Sequence, residues 1–489
     1  MIVNHLLHNV CNLTQEPHMS DDLIWTSAHE LANLYRSRTV SPVEVVDAVL
    51  ERQEAVNPQI NAFVTVTADQ ARDQAKHAER RLLSEPDLPP LFGVPITVKD
   101  LTETAGVRTT FGSVAYVDNV PSADGIAWSR LKAAGTILIG KTTTPEFGLL
   151  GVTESKLTGT TGTPWDPSRA AGGSSGGAAA ATAAGIAPLA WGSDGGGSIR
   201  VPSSLCGTVG VKPTSGRIPH NHNVETDSTE GPIARSVVDA AMMLDVTVGP
   251  DPRDRIALPP TGDRYAETAL VEGDLTGVRI AASPDLGQLP IDPETRRVFN
   301  SALDDLRSFG AHVETVEISL PDAYEYFIQY WGPEYIAIAD EMHANGLEVW
   351  PLIDHMAEKA RRLSPVQVSQ GMREVKTAIY EAYAKVFAHF DLLVTPTTPI
   401  PAFPHAGDKG GVDEIDGQLV KHAGAALHSL TESPSHAGLP ALTLPCGFTD
   451  LNLPVGLQFI GPIYADLAVI SAASRYEHAT TWHRRHPTL

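Results

Sequence analysis

The sequence is poor in cysteine and contains no long apolar run. Three of its 489 residues are cysteines, and Cys11, Cys206 and Cys446 lie far apart. Such sparse, odd-numbered cysteine argues against a disulfide scaffold or a zinc site and fits a reducing compartment, so we expect a cytoplasmic protein. No apolar stretch reaches the ~18 residues of a transmembrane helix, so we expect no membrane association.

Positive charge is also scarce. Lys and Arg together number 36 against 58 Asp and Glu, which gives a formal net charge of −22 at pH 7. A field of this sign repels phosphate backbones, so we expect no nucleic-acid partner. Composition leaves the oligomeric state open, and a homodimer is our expectation only because it is the commonest assembly of soluble proteins.

Predicted helices alternate with predicted strands along most of the chain. Residues 1–22 lack a convincing signal-peptide pattern, and we expect them to be a poorly ordered extension. Residues 23–489 are expected to form one domain. The alternation predicts an α/β fold, with a mixed, twisted β-sheet covered by helices on both faces. Helices are expected at 28–36, 41–56, 68–83, 126–134, 175–185, 237–248, 293–309, 324–345, 365–390 and 465–478, and strands at 94–98, 136–139, 189–191, 278–282, 312–316, 392–395, 442–444 and 457–460.

Residues 135–142 match the phosphate-loop pattern G-x-x-x-x-G-K-[ST]. That pattern binds phosphate only where the residues between the glycines form a loop that leads directly into a helix. Here they are Thr-Ile-Leu-Ile, which is typical of a buried strand, and Thr143-Thr144-Pro145 follows. We therefore interpret the match as a strand and not as a nucleotide site.

Two blocks rich in glycine and serine, residues 171–177 and 192–200, are candidates for chemistry. In the second block, three glycines and Ser198 can bend tightly and present converging backbone N–H groups. Such groups stabilise the oxyanion that forms when a serine attacks a carbonyl carbon. Taken singly, either block is also typical of a flexible surface turn.

A serine nucleophile requires a proton acceptor. The G-x-S-x-G elbow is absent, and the best histidine candidates, His220 and His222, lie in an Asn-containing segment typical of a polar turn. Lys99 is an alternative, because it ends a predicted apolar strand and burial lowers the pKa of a lysine. Taken alone, Lys99 is also compatible with an ordinary surface lysine.

Taken together, these motifs resemble the amidase signature family. The resemblance rests on residues 91–100, which end in Lys99-Asp100, and on residues 172–177, 192–200 and 206–214. Weaker similarity continues at 231–237, 391–396 and 453–461. The resemblance implies an amidase fold from about residue 23 to the C-terminus, with a signature core at about 91–214, and hydrolysis of a small-molecule amide at its C–N bond.

The resemblance also implies roles for individual residues. Ser198 matches the nucleophile, Ser174 the bridging serine that this family holds with a cis peptide bond, and Lys99 the base. Such chemistry requires no metal and no organic cofactor. The matching oxyanion-hole donors are the N–H groups of Gly195, Gly196, Gly197 and Ser198, and the matching supporting residues are Ser175, Asp194 and Arg200.

One departure and three uncertain segments concern the substrate. Gly195 stands where many members of the family carry a side chain, which is expected to open space beside the nucleophile. Candidate pocket walls are the aromatic-rich residues 324–335, although such a stripe is more often core than pocket, and the loop near 433–439. Residues 406–420 are either a lid or a solvated surface loop.

Three functions remain open. The first is a free-standing amidase for acyl or aryl amides, with carbamates and esters as related substrates. The second is an amidotransferase A-type subunit, which releases ammonia from glutamine for tRNA-dependent amidation and needs partner subunits. The third is a non-catalytic binding protein on the same fold, against which the presence of Lys99, Ser174 and Ser198 argues.

Overall fold

The computed structural model describes residues 23–220, 228–405, 407, 410–420 and 422–489, so the expected extension 1–22 and His222 lie outside the described residues. Eleven strands form one large sheet. In chain order they are β1 (Phe63–Val66), β2 (Pro95–Lys99), β3 (Ile137–Thr142), β4 (Leu189–Asp194), β5 (Val209–Lys212), β6 (Thr229–Ala234), β7 (Arg279–Ala282), β8 (His312–Thr315), β9 (Leu392–Pro396), β10 (Ala441–Phe448) and β11 (Pro454–Ile460).

The sheet is mixed, as the sequence predicts. Its order is β1-β3-β2-β4-β6-β5-β10-β11-β9-β7-β8. Strands β3, β2 and β4 are mutually parallel, as are β9, β7 and β8, and the remaining pairs are antiparallel. All residues of β2, β3, β6 and β11 are buried. Because successive side chains point to opposite faces of a sheet, both faces are covered here.

Helices flank this sheet. They are α1 (Ala28–Arg36), α2 (Pro42–Ile60), α3 (Ala68–Ser84), α4 (Ile126–Ala133), α5 (Gly176–Ala183), α6 (Arg200–Cys206), α7 (Val237–Thr247), α8 (Tyr265–Ala269), α9 (Pro293–Ser308), α10 (Ala323–Ala344), α11 (Pro351–Ala360), α12 (Pro365–Gln370), α13 (Lys376–Phe387), α14 (Ala423–Ala426), α15 (Glu432–His436) and α16 (Asp466–Thr480). Within the described ranges, no helix is both long and apolar enough to cross a membrane.

The predicted helix 365–390 is interrupted. A π-helical turn, Gly371–Val375, separates α12 from α13. A Cβ on Gly371 would lie 2.3 Å from Oε1 of Gln329. The side chain of Gln329 therefore presses against the backbone at this glycine, and π turns arise where a helix accommodates such a local intrusion.

The first helix is tied to the core through a buried carboxylate. Asp239 of α7 accepts hydrogen bonds from the N–H groups of Ala28 at 3.0 Å and His29 at 2.9 Å. These are first-turn amides of α1, which have no acceptor within their own helix. The Ser27 and Glu30 side chains complete a capping box at the same end, as their spacing predicts.

We expect Asp239→Ala to lower the free energy of unfolding by about 2–3 kcal/mol, because two buried amides would lose a charged acceptor. Ser41→Ala, which removes the exposed capping box of α2, is the matched control and should cost about 1 kcal/mol. Urea denaturation followed by circular dichroism measures both. An Asp239→Ala loss no larger than that of Ser41→Ala would contradict the role of this carboxylate.

Candidate active site

Lys99 is the last residue of β2 and is completely buried. Its strand lies between β3 and β4 and is parallel to both. The carboxyl ends of parallel strands share one edge of a sheet, where α/β proteins place their binding sites. The Lys99 ammonium donates hydrogen bonds to the Ser174 hydroxyl at 2.7 Å and the Ser193 hydroxyl at 2.9 Å.

Burial lowers the pKa of Lys99 to about 7, because the charged ammonium loses its hydration. The negative charges of Asp194 and Glu230 act in the opposite direction and only partly offset this effect. No carboxylate forms a salt bridge with Lys99 among the described residues. A substantial fraction of Lys99 is therefore neutral at pH 7 and has a lone pair available to accept a proton.

Ser174 lies just before α5, and the Gly173–Ser174 peptide bond is cis. Helix α5 consists of glycine, alanine and one threonine, all buried. Cβ atoms on Gly176 and Gly177 would lie 2.3 Å from the hydroxyls of Thr153 and Thr143. Glycine at these positions lets the helix approach its neighbours closely, which holds Ser174 against Lys99.

Ser193 is a site residue to which the sequence analysis gave no role. It lies on β4, next to β2, and receives a hydrogen bond from Lys99. Its backbone N–H and carbonyl oxygen both bond the hydroxyl of Ser175, at 3.4 Å and 3.3 Å. The backbone N–H of Ser175 donates to the carbonyl oxygen of Ser198 at 3.1 Å. Ser175 thus joins the two serine-bearing segments.

Residues 195–198 form a turn between β4 and α6, which we call the nucleophile turn. The carboxylate of Asp194 bonds the N–H of Gly197 at 2.7 Å and the N–H of Ile199 at 3.2 Å. Arg200 then pairs with Asp194 from both Nε, at 2.9 Å, and Nη2, at 2.8 Å. Burial of Asp194 would raise its pKa, but the adjacent Arg200 guanidinium outweighs this and lowers the pKa to about 2.

The N–H of Gly197, which the sequence analysis predicts to be an oxyanion-hole donor, has another acceptor in the structure. The N–H of this residue is directed to Asp194, and Gly197 does not line the cavity. Its φ of +138° and its close contact with Thr431, whose Oγ1 would lie 2.1 Å from an added Cβ, explain why glycine is required. Elsewhere in the turn, no hydrogen bond between described residues uses the N–H of Gly195, Gly196 or Ser198.

Arg200 extends the support to distant segments of the chain. It is completely buried and donates to Oε1 of Gln458 on β11 at 2.7 Å. It also donates to the carbonyl oxygen of Thr431 and to the Ser435 hydroxyl, both at 2.7 Å. Asp194 and Arg200 therefore do lie beneath the nucleophile turn, and Gln458 is a further supporting residue that the sequence analysis missed.

Ser198 and Ser174 open into one cavity of about 450 Å³, a size typical of small-molecule sites. Ser198 is partly exposed, whereas Lys99 is covered. No hydrogen bond joins the two serines in the described part of the chain. The structure thus brings Ser174 and the nucleophile turn together at one cavity, with Lys99 hydrogen-bonded to Ser174.

The aromatic-rich segment divides between the cavity and the core. On α10, Tyr324, Phe327, Trp331 and Tyr335 line the cavity, whereas Tyr326 and Tyr330 are buried in a core cluster. Both interpretations of the segment are therefore correct for different faces of one helix. The prediction of a pocket loop near 433–439 is wrong, because none of these residues lines the cavity. The first residue of α15, Glu432, does line it.

The expectation that Gly195 opens free space is also wrong. A Cβ on Gly195 would lie 2.9 Å from Cζ2 of Trp331. The indole of α10 already occupies the space that a side chain at position 195 would need, because the tertiary packing of α10 brings this aromatic ring over the turn.

His428 and Glu432 are further cavity residues that the sequence analysis missed. Burial lowers the pKa of His428 to about 4, so this imidazole is neutral at pH 7 and a weak base. Burial raises the pKa of Glu432, and the hydrogen bond between its Oε1 and His436 at 3.1 Å opposes that rise. His428 is therefore a weaker base than Lys99, whose pKa is about 7.

The phosphate-loop match is a strand, as predicted. Residues 137–142 form β3, and Lys141 is completely buried. Its ammonium bonds the hydroxyls of Thr104 at 3.0 Å and Thr109 at 2.9 Å, as well as the carbonyl oxygen of Thr102. Lys141 thus ties a loop to the sheet. Among the described residues, no group of three or more His, Cys, Asp or Glu side chains is arranged to hold a metal ion.

Comparisons with known proteins agree with this geometry. A family model described as Amidase matches residues 44–470. An acylamidase from Rhodococcus erythropolis is 36% identical over 95% of this chain and 98% of its own length. The A-type subunit of a glutamyl-tRNA(Gln) amidotransferase from Roseiflexus is 37% identical over 92% and 95% of the two chains. A crystal structure of a bacterial aryl acylamidase of the amidase signature family superposes with a TM-score of 0.87 at 29% identity, covering 94% of this chain and 98% of that one.

We expect Arg200→Met to lower the free energy of unfolding by about 3–5 kcal/mol, because it leaves the Asp194 carboxylate buried without its counterion. Arg279→Met is the matched control. It breaks the exposed pair between Arg279 and Asp391, whose atoms lie 2.7 Å apart, and should cost no more than about 1 kcal/mol. Chemical denaturation measures both. Equal losses would contradict a supporting role for the buried pair.

Proposed function

Since this chain belongs to the amidase signature family, we propose that it is a free-standing amidase that hydrolyses small acyl or aryl amides through an acyl-enzyme on Ser198. The observation that carries the proposal is the contact between the buried Lys99 ammonium and the Ser174 hydroxyl at 2.7 Å, beside a nucleophile turn that opens into the same cavity. The names of the acylamidase and aryl acylamidase relatives favour this substrate class.

In the proposed mechanism, neutral Lys99 accepts a proton from Ser174 while Ser174 accepts one from Ser198. The Oγ of Ser198 then attacks the carbonyl carbon of the amide. The Ser198–Ser174 hydrogen bond that this relay needs would form with substrate bound, as catalytic hydrogen bonds often tighten only in the complex. The C–N bond breaks as the relay returns a proton to the leaving nitrogen, and water cleaves the acyl-enzyme by the same route.

We propose three donors for the oxyanion hole, the N–H groups of Gly195, Gly196 and Ser198. All three residues line the cavity, and the support from Asp194 fixes the turn before substrate arrives. Preorganised donors of this kind contribute most of the stabilisation of a developing oxyanion, about 10²–10³-fold in rate for each donor.

An amidotransferase component is the second candidate. Several relatives of 33–37% identity are named as A-type subunits of glutamyl-tRNA(Gln) amidotransferase. Such a protein would release ammonia from glutamine only with partner subunits, whereas a free-standing amidase cleaves an anilide alone.

The cytoplasmic location, the homodimer and the absence of nucleic-acid partners stay predictions.

We expect the purified chain to hydrolyse a short-chain nitroanilide. A carbamate and an ester are assayed alongside it to rank the substrate classes. Ser198→Ala should lower kcat by about 10⁴-fold or more, because it removes the attacking atom. Ser228→Ala, at another serine that lines the cavity, is the control and should leave kcat almost unchanged. Activity that persists in Ser198→Ala would identify a different nucleophile, and ammonia release from glutamine without anilide hydrolysis would favour the second candidate.

The pKa of Lys99 predicts the pH dependence of the reaction. Only neutral Lys99 accepts a proton, so kcat/KM should rise about tenfold per pH unit below pH 7 and level off above about pH 7. Initial rates on the nitroanilide between about pH 5 and about pH 9 measure this profile. A profile that is flat across pH 7, in an enzyme shown by melting curves to stay folded, would exclude Lys99 as the base.

A further inference from the structure

The indole of Trp331 is seated on the nucleophile turn. A Cβ on Gly195 would lie 2.9 Å from Cζ2 and 3.2 Å from Cη2 of this ring, so ring and turn are already in contact. Trp331 also packs edge-on against Tyr330, with ring centroids 4.9 Å apart. Tyr330 is buried in the core, so its contact restricts the movement of the Trp331 ring. A large, rigid aromatic side chain in such a position is a wall rather than a mobile gate.

The two halves of an amide substrate lie on different sides of Ser198. In the proposed mechanism the leaving nitrogen receives its proton from Ser174, so the amine half lies beside Ser174. The Ser174 hydroxyl is 3.3 Å from the position of a Cβ on Gly148, and Leu101 contacts the same glycine. With the carbonyl oxygen in the oxyanion hole, the acyl half would extend away from Ser174, into the part of the cavity that Trp331 lines.

We propose that Trp331 closes the acyl side of the site and restricts the substrates to amides of short-chain acids. The larger apolar part of the cavity, which includes Phe147, Tyr335 and Met356, then receives the amine-derived group. This inference rests on the proposed amidase function and adds to it a residue that determines specificity.

The test is an acyl-length series of nitroanilides (acetyl, butanoyl, hexanoyl) with wild type and Trp331→Ala. Wild-type kcat/KM should fall about tenfold or more from acetyl to hexanoyl, because each added methylene meets the indole. Trp331→Ala should remove most of that fall and raise the hexanoyl value about tenfold. Phe327→Ala removes another aromatic ring of α10 that lines the cavity, and it should leave the ratio of hexanoyl to acetyl unchanged.

A second measurement depends only on the contact between the two residues. Gly195→Ala should reduce kcat strongly in wild type, because the new Cβ collides with the indole, and less in the Trp331→Ala background. Coupling of this kind identifies side chains that compete for one space. Trp331→Phe, with melting temperatures for every variant, separates loss of the wall from loss of folding.

Each result decides between specific alternatives. An unchanged acyl-length ratio in Trp331→Ala, or a change confined to a series that varies the amine, would overturn the inference. Nitrophenyl esters of the same acids separate it from the amidase proposal. If the anilides are inert but the esters show the acyl-length effect, the proposed role of Trp331 is supported and the proposed hydrolysis of amides is wrong. If wild type cleaves neither series, both proposals fall.

Discussion

The buried ion pair of Asp194 and Arg200 is the interaction on which the site depends. Asp194 holds the nucleophile turn by its backbone amides, and Arg200 connects that carboxylate to Thr431 and to Gln458. A buried pair of this kind gains little net stability, because the desolvation of both ions offsets their attraction. What it provides is geometry, because Asp194 holds the N–H groups of Gly197 and Ile199 and so helps to fix a turn that contains three glycines.

A second constraint is the burial of Lys99, which forms no salt bridge with a carboxylate in the part of the chain that the structure describes. Most lysines remain charged at the surface, whereas this one donates hydrogen bonds to the hydroxyls of Ser174 and Ser193. Lys141, on the neighbouring strand, is equally buried, yet an Asp100 oxygen lies 4.0 Å from its ammonium and its pKa is lowered only to about 8. The difference in counter-charge separates a lysine suited to proton transfer from one that ties a loop.

The sequence predicted the mixed α/β sheet, most helix bounds and the proximity of Lys99 to Ser174. It missed strands β1, β5 and β6. Strand β6 contains Gly231 and Pro232, residues that argue against a central strand. Pro232 nevertheless lies opposite Trp191 of β4, and β6 pairs with β5 at the next two residues, Ile233 and Ala234. The position of Trp331 over Gly195 was equally inaccessible, because the rotation of a helix against a distant turn is set by tertiary packing.

The topology also has a consequence for how the protein is made. Strands β2 and β4 are neighbours in the sheet, but Gln458, one of the acceptors for Arg200 beneath the turn, lies on β11, the strand of this sheet that comes last along the chain. A ribosome-bound chain that has not yet been synthesised past Gln458 therefore carries Lys99, Ser174 and Ser198 but lacks one of the supports for Arg200. The full set of contacts beneath the nucleophile turn therefore forms only after the chain has been synthesised past Gln458.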